Sequence, residues 1–348
     1  MSASSLPSGQ SAIFKGIAIS GIVACVPPRI VENSEFEKSF GSGVAEVVKM
    51  IGVKQRRWVD DGVTTSDLCL AAAERLLTQL EWDPASVDAL IFVSQTPDYR
   101  LPATACVMQS KLALRKGIIA FDVNLGCSAY PYGLWLASML ISSGSANRVL
   151  LAVGDTSSRV VDWQDRGTAL LFGDAGAVTA ITSTDSDAKS HYILGSDGSG
   201  FENLIIREGG FRASSLEVGP DPTKLFMNGG EIFNFTLKAV PRLVSDLMEL
   251  SGLGIEEHDA FLFHQANTFM INHLAKKAKL PPEKVPINMV RYGNTSSATI
   301  PLLMADDLAP TLTSKQSRLA MFGFGVGYSW AAASISVEPL ACVETICL

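Results

Sequence analysis

The sequence predicts an α/β protein assembled from two similar halves, and three observations carry that prediction. Apolar, β-rich runs alternate with helix-period segments along the chain. Short phrases of the first half return in the same order in the second. The composition is globular, with 348 residues, 47% hydrophobic, 18% charged and 29 glycines spread throughout, enough to bury a large core.

Taken in chain order, the first element is the apolar run over residues 16–26. It is too short to span a bilayer, follows a Ser-rich start carrying only Lys15, and stops at Pro27-Pro28, so it reads as a first buried strand. Residues 66–80 place Leu68, Ala72, Leu76 and Leu80 at i, i+4 spacing, one face of a helix. Strand-like runs follow at 89–93, 149–153, 177–181, 261–263 and 319–322, with a second long helical pattern over 233–250.

The repeat is faint but ordered. Asp88-Ala89-Leu90-Ile91-Phe92 is echoed by Asp259-Ala260-Phe261-Leu262-Phe263. Val123-Asn124 followed by Ser128-Ala129 is echoed by Ile287-Asn288 followed by Ser297-Ala298. Arg148-Val149-Leu150 before Gly154 is echoed by Arg318-Leu319-Ala320 before Gly323. The polar stretch over 183–190 then divides an N-terminal half, residues 1–185, from a C-terminal half, residues 186–348. Matching strand ends and helix starts can face one another across the internal axis, a natural place for a site built from distant sequence.

Charge and cysteine usage narrow the function. A net charge of −7 argues against a general nucleic-acid binder. Six cysteines without a C-x-x-C pair, beside only four histidines, argue against a zinc site, and a disulfide scaffold is not expected in so large a chain. A reducing, cytoplasmic compartment is the expectation.

Residues 122–129 read as strand, tight turn and helix start, with Cys127 at the turn and Gly126 allowing the backbone to bend. Free N–H groups and the macrodipole at a helix start favour a thiolate, the nucleophilic form. On position alone a buried packing cysteine fits equally well, and that is the reading of Cys25, Cys69 and Cys106. His264 closes an apolar strand, where a structural role is the ordinary one; His191, His258 and His273 read as structural residues in polar or helical-surface contexts. Asn294 lies in a turn before a helix start, a place for a cap, yet it matches the echo of the Cys127 elbow. Gly323-Phe324-Gly325-Val326-Gly327 is followed by a strand pattern over 328–337 rather than a helix, so it is no dinucleotide loop. Close glycines instead let backbone N–H groups approach a reacting atom.

Together, Asn124-Leu125-Gly126-Cys127-Ser128, His264-Gln265-Ala266-Asn267, Tyr292-Gly293-Asn294-Thr295-Ser296-Ser297-Ala298 and Gly323-Phe324-Gly325-Val326-Gly327-Tyr328-Ser329-Trp330 resemble the signatures of ketoacyl-acyl-carrier-protein synthase III. Asp165-Arg166-Gly167-Thr168 with Phe172-Gly173-Asp174-Ala175-Gly176-Ala177 resembles a fifth, and order and spacing agree over residues 13–337. The resemblance implies a thiolase-like five-layer αβαβα fold and a homodimer. It implies that Cys127 takes an acyl group from a thioester of coenzyme A or acyl carrier protein. The backbone N–H groups of Cys127 and Val326 would form the oxyanion hole. His264 and Asn294 would hold the enolate of a decarboxylating malonyl-carrier thioester, giving a 3-oxoacyl product without metal or redox cofactor.

Departures from the family pattern accompany these matches. An adenine-stacking Trp and a nearby Arg correspond to Glu46 and Met50, and a carrier-contacting Arg to Phe269. Arg166, Lys276 and Lys277 match basic positions, Asn267 belongs to the His motif, and a pocket Phe supplied across the dimer corresponds to Leu101. Catalytic positions are kept while substrate-reading positions differ, which points to a specialised member. Free acetyl-CoA is expected to be a poor donor, and acyl chains longer or more branched than acetyl are expected. Two alternatives stay open at this point: a non-decarboxylating acyltransferase of the same fold, and a non-catalytic partner subunit.

Overall fold

The computed structural model describes residues 9–212, 215–216 and 219–348. Six strands form one mixed sheet in the order β15 (Cys342–Cys347), β2 (Ile17–Val26), β8 (Asp174–Ser183), β7 (Arg148–Thr156), β5 (Ala89–Val93) and β6 (Ile119–Val123). Five strands form a second in the order β1 (Gln10–Lys15), β9 (Lys189–Ser196), β14 (Ser329–Val337), β13 (Ser317–Gly325) and β12 (Ala260–Phe263). Two small hairpins pair β3 (Ile30–Glu32) with β4 (Gln55–Arg57), and β10 (Leu204–Ile205) with β11 (Phe226–Met227).

The layering follows from the side-chain period of two along each strand. In β7, Val149, Leu151 and Val153 enter the central core, while Leu150 and Ala152 enter the outer one. In β13, Leu319 and Met321 face the centre and Ala320, Phe322 and Phe324 face outward. Sheets apolar on both faces must be covered on both. Helices Ala129–Ser142 and Thr299–Asp306 fill the space between the sheets, Thr65–Gln79 and Thr104–Lys111 cover the first, and Gly229–Ser251 and Thr268–Lys277 cover the second. The result is the five-layer αβαβα arrangement of the thiolase-like fold.

Two of the three echoes occupy equivalent places, in β5 and β12 and in β7 and β13, whereas Val123 ends β6 and its echo Ile287 lies outside any strand. Asp88 Oδ2 accepts from the Arg148 N–H at 3.0 Å, and Asp259 Oδ2 accepts from the Arg318 N–H at 2.8 Å. Each carboxylate also takes a cation, Arg115 at 2.9 Å and Lys315 at 3.1 Å. The same aspartate thus ties the start of the first strand to the start of its neighbour in both halves.

Some local readings differ from the structure. The run over 16–26 is the first buried strand, as read, but the unburied β1 precedes it and pairs antiparallel with β9 of the other half. The last strand makes the reciprocal move, as β15 pairs parallel with β2. Cys25 and Cys69 are buried, but Cys106 is exposed. His191 and His258 are buried, in keeping with a structural role, and His258 is fixed by Gly254 O at 3.0 Å and Ser334 Oγ at 2.9 Å. No helix among the described residues is long and apolar enough to cross a membrane.

Candidate active site

The carboxyl ends of the parallel strands β5, β6 and β7 open on one crevice, the usual place for a ligand in an α/β sheet. Cys127 stands there, in the turn between β6 and helix Ala129–Ser142. The turn is tight because its neighbours leave no room. A Cβ on Gly126 would lie 2.3 Å from Gln95 Oε1, and one on Gly325 would lie 2.7 Å from Cys127 Cβ and 2.9 Å from its Sγ. Gly323 is pressed likewise against Ser128, so the β13–β14 hairpin brings bare backbone to the elbow. The Ser329 hydroxyl donates to the Val326 carbonyl at 2.8 Å and meets Ser128 Oγ at 2.7 Å, which pins hairpin to elbow.

The electrostatics at Cys127 differ from the thiolate expected of a helix start. Burial pushes the thiol up to about 12 and the Asp155 carboxylate adds to the rise, while hydrogen bonds from the backbone of Val326 and Cys127 and from the Ser296 hydroxyl pull it down. Desolvation wins, so the resting group is the thiol.

His264 follows β12 and is fully buried, with Nδ1 2.8 Å from Thr299 Oγ1 and its ring edge-on to Phe324. Burial lowers its pKa to about 3, only partly countered by the Ser296 carbonyl, and the imidazole is neutral at physiological pH. Asn294 is buried beside Phe172. Its Oδ1 accepts from the Ser296 N–H at 2.9 Å, which orients the amide and leaves Nδ2 as donor.

Ser296 joins these groups. Its hydroxyl reaches Cys127, its N–H holds Asn294, and its carbonyl accepts from Thr299 at 3.1 Å beside the His264 ring. It does so at φ 51, a left-handed conformation for a residue that is not glycine. Sequence reasoning included Ser296 in a motif but gave it no part. Asp155 was missed too. It is buried at the end of β7 and accepts from Gln95 N at 2.7 Å, Ser94 Oγ at 3.1 Å, Ser297 N at 3.2 Å and Ser297 Oγ at 2.7 Å. An acidic residue closing an apolar strand, Val153-Gly154-Asp155, is the signal that could have found it.

Cys127, Ser296, Asp155 and Val326 border a cavity of about 490 Å³ that continues between Val160, Phe172, Leu204, Ile206 and Leu225. His264 and Asn294 stand behind that wall, 1% and 4% exposed. The remaining predicted site residues lie away from it. Arg166 is exposed with its guanidinium 3.1 Å from where a Gly43 Cβ would be, and Glu46 and Met50 are exposed on the adjoining helix Val44–Ile51. Lys276 and Lys277 are exposed at the end of helix Thr268–Lys277, where Lys277 Nζ donates to Leu237 O at 2.7 Å. Asn267 caps that helix through Met270 N, and exposed Phe269 stacks on Phe233. Leu101 is 80% exposed.

Two sheets sandwiching a helix that begins at a cysteine elbow, faced by a buried His and Asn from the other half, define a protein of the thiolase-like class. Comparison with known proteins narrows this. The family model 3-oxoacyl-[acyl-carrier-protein (ACP)] synthase III matches residues 121–198, and the model of its C-terminal part matches residues 248–337. A beta-ketoacyl-[acyl-carrier-protein] synthase III of Caldanaerobacter subterraneus is 33% identical, covering 91% of this chain and 96% of that protein. One of Clostridium perfringens is 33% identical over 93% of this chain and 100% of its own length. The crystal structure of a 3-oxoacyl-(acyl-carrier protein) synthase from Burkholderia xenovorans LB400 superposes with TM-score 0.96 at 53% identity, covering 99% of this chain and 100% of that one. The chain belongs to the 3-oxoacyl-[acyl-carrier-protein] synthase III family.

Proposed function

We propose that this chain is a decarboxylating ketoacyl synthase. Cys127 attacks a thioester carbonyl, its proton leaves with the departing thiol, and the acyl group is held on Sγ. The N–H groups of Cys127 and Val326, brought close by Gly323 and Gly325, take the charge on the carbonyl oxygen. A malonyl-carrier thioester then loses carbon dioxide. Its oxygen is held by Asn294 Nδ2 and by His264 Nε2–H, the tautomer in which the Thr299 hydroxyl turns from the Ser296 carbonyl to donate to Nδ1. The resulting carbanion equivalent attacks the acyl-cysteine and releases a 3-oxoacyl thioester. Neutral His264 suits hydrogen-bond donation to an enolate rather than proton abstraction, since so weak a base takes up no second proton near neutrality. No metal or redox cofactor takes part.

The observation that carries this reading is the junction at Ser296, which connects a nucleophile from one half to the Asn and His of the other. Arg166, Lys276 and Lys277 are assigned to carrier or nucleotide phosphates. Exposed Glu46 and Met50 offer no aromatic or cationic shelf to a nucleotide, so an acyl-carrier donor is favoured over acetyl-CoA. The chain is assigned to a homodimer in a cytoplasmic compartment. This assignment is supported by the open edge at which β6 ends its sheet and by the exposure of Leu101. The test is intact-protein mass spectrometry after incubation with acyl-CoA and acyl-carrier donors. An acyl adduct mapping to Cys127, absent from Cys127→Ala, is expected; an undiminished adduct on the variant would remove Cys127 as nucleophile.

A further inference from the structure

The cavity beyond Cys127 has two chemistries. Val160, Phe172, Leu204, Ile206 and Leu225 give it apolar walls, but two carboxamides, Gln95 and Asn124, line it at the elbow itself. Gln95 Nε2 donates to Asn124 Oδ1 at 3.3 Å. Gln95 Oε1 rests against Gly126, the residue before the nucleophile, so closely that a Cβ there would be 2.3 Å away.

Neither amide is needed to build its strand, for β5 ends at Val93 and β6 at Val123, and both side chains stand exposed past those ends. A carboxamide offers two N–H donors and an oxygen with two lone pairs. Their mutual bond uses one Gln95 hydrogen and one Asn124 lone pair. It leaves the two Asn124 Nδ2 hydrogens, the second Gln95 Nε2 hydrogen, the second Asn124 lone pair and the Gln95 Oε1 acceptor for other groups. A hydrocarbon chain laid over the pair strips water from both amides and returns no hydrogen bond, which disfavours it by the desolvation of each group left unpaired. A hydroxyl restores both bonds at once, accepting from Asn124 and donating to Gln95. A carbonyl can only accept, so it leaves Gln95 Oε1 unpaired.

We propose that the acyl group loaded on Cys127 is a hydroxyacyl group whose hydroxyl, close to the thioester, is read by Gln95 and Asn124. This rests on the reading of Cys127 as the acyl carrier. It makes the pair specificity determinants and places the enzyme after a reaction that leaves a hydroxyl on the acyl chain, such as reduction of a 3-oxoacyl thioester or hydration of an enoyl one.

The test compares loading from the pantetheine thioesters of 3-hydroxybutyrate and butyrate, which differ by one oxygen and carry no nucleotide. Adduct formation on Cys127 is followed by intact-protein mass. The unmodified enzyme is expected to load the hydroxyacyl group at least about 10-fold faster, because a site built to hydrogen-bond a hydroxyl discriminates strongly against an analogue lacking it. The double variant Gln95→Leu, Asn124→Leu is expected to reverse the preference, its butyryl adduct showing that the elbow is intact. Equal or faster butyryl loading by the unmodified enzyme overturns the proposal while Cys127 keeps its assigned part. The same holds if the ratio is unchanged in the variant. If neither ester modifies Cys127, the reading beneath the proposal falls and the proposal with it.

Discussion

At the scale of single residues, the site is organised around neutral groups. Burial holds Cys127 as a thiol and His264 as an uncharged imidazole. The consequence for Cys127 is directional: a raised pKa means the thiolate fraction keeps growing with pH through the alkaline range. Alkylation of Cys127 by iodoacetamide should therefore keep accelerating from about pH 7 to about pH 10, as reactivity follows the thiolate. A rate that levels off below about pH 8 would show that the helix start, not desolvation, governs the thiol. Cys127, His264 and Asn294 were legible in the sequence because each sits in a turn whose neighbours repeat a family pattern. Ser296 was not, because two of its three contacts are made through its backbone. The left-handed conformation that lets one residue meet three partners costs about 1–3 kcal/mol and leaves no mark on composition or spacing. Cys106 was misread because its apolar surroundings do not reveal which face of helix Thr104–Lys111 meets solvent.

At the scale of elements, the β13–β14 hairpin and the cysteine elbow form one device. The glycines of 323–327 were legible as a place where backbone comes near a reacting atom; what they come near was not, since Cys127 lies far off in sequence. A side chain at Gly325 would press on Cys127, its Cβ falling 2.9 Å from the sulfur. Gly325→Ala should leave the fold recognisable by circular dichroism but displace Cys127, and a misplacement of about 1 Å costs on the order of 100-fold in rate. Acyl loading within about 3-fold of the unmodified enzyme would mean that the hairpin does not fix Cys127. Strands such as β5 and β12 were readable almost to the residue because they are apolar on both faces. Their equivalence was readable because Asp88 and Asp259 do the same work on Arg148 and Arg318.

For the whole molecule, the two halves are tied together by exchanged termini: β1 extends the second sheet and β15 the first. Sequence patterns describe local periodicity and carry no information on which sheet an edge strand joins, so this exchange was invisible. The other end of the first sheet is β6. The Ile119 N–H turns inward to Asp88 O at 3.0 Å, so strand alternation directs the Ala120 N–H outward. An open edge of this kind is suited to pairing with a second copy. Sedimentation should show two chains per particle, and Ala120→Pro, which removes an outward donor while sparing the β5 ladder, should shift it toward one. A monomeric unmodified protein would contradict that assignment.

Turnover by the complete molecule tests the central claim most directly. Enzyme carrying an acyl group on Cys127 is mixed with malonyl-carrier protein, and carbon dioxide and 3-oxoacyl product are measured together with loss of the acyl-cysteine. Each acyl group lost is expected to appear as one carbon dioxide and one 3-oxoacyl thioester. His264→Ala and Asn294→Ala should load but release carbon dioxide at least about 100-fold more slowly, the usual loss for a preorganised donor. Departure of the acyl group to another acceptor without carbon dioxide, or undiminished release from either variant, would contradict the account.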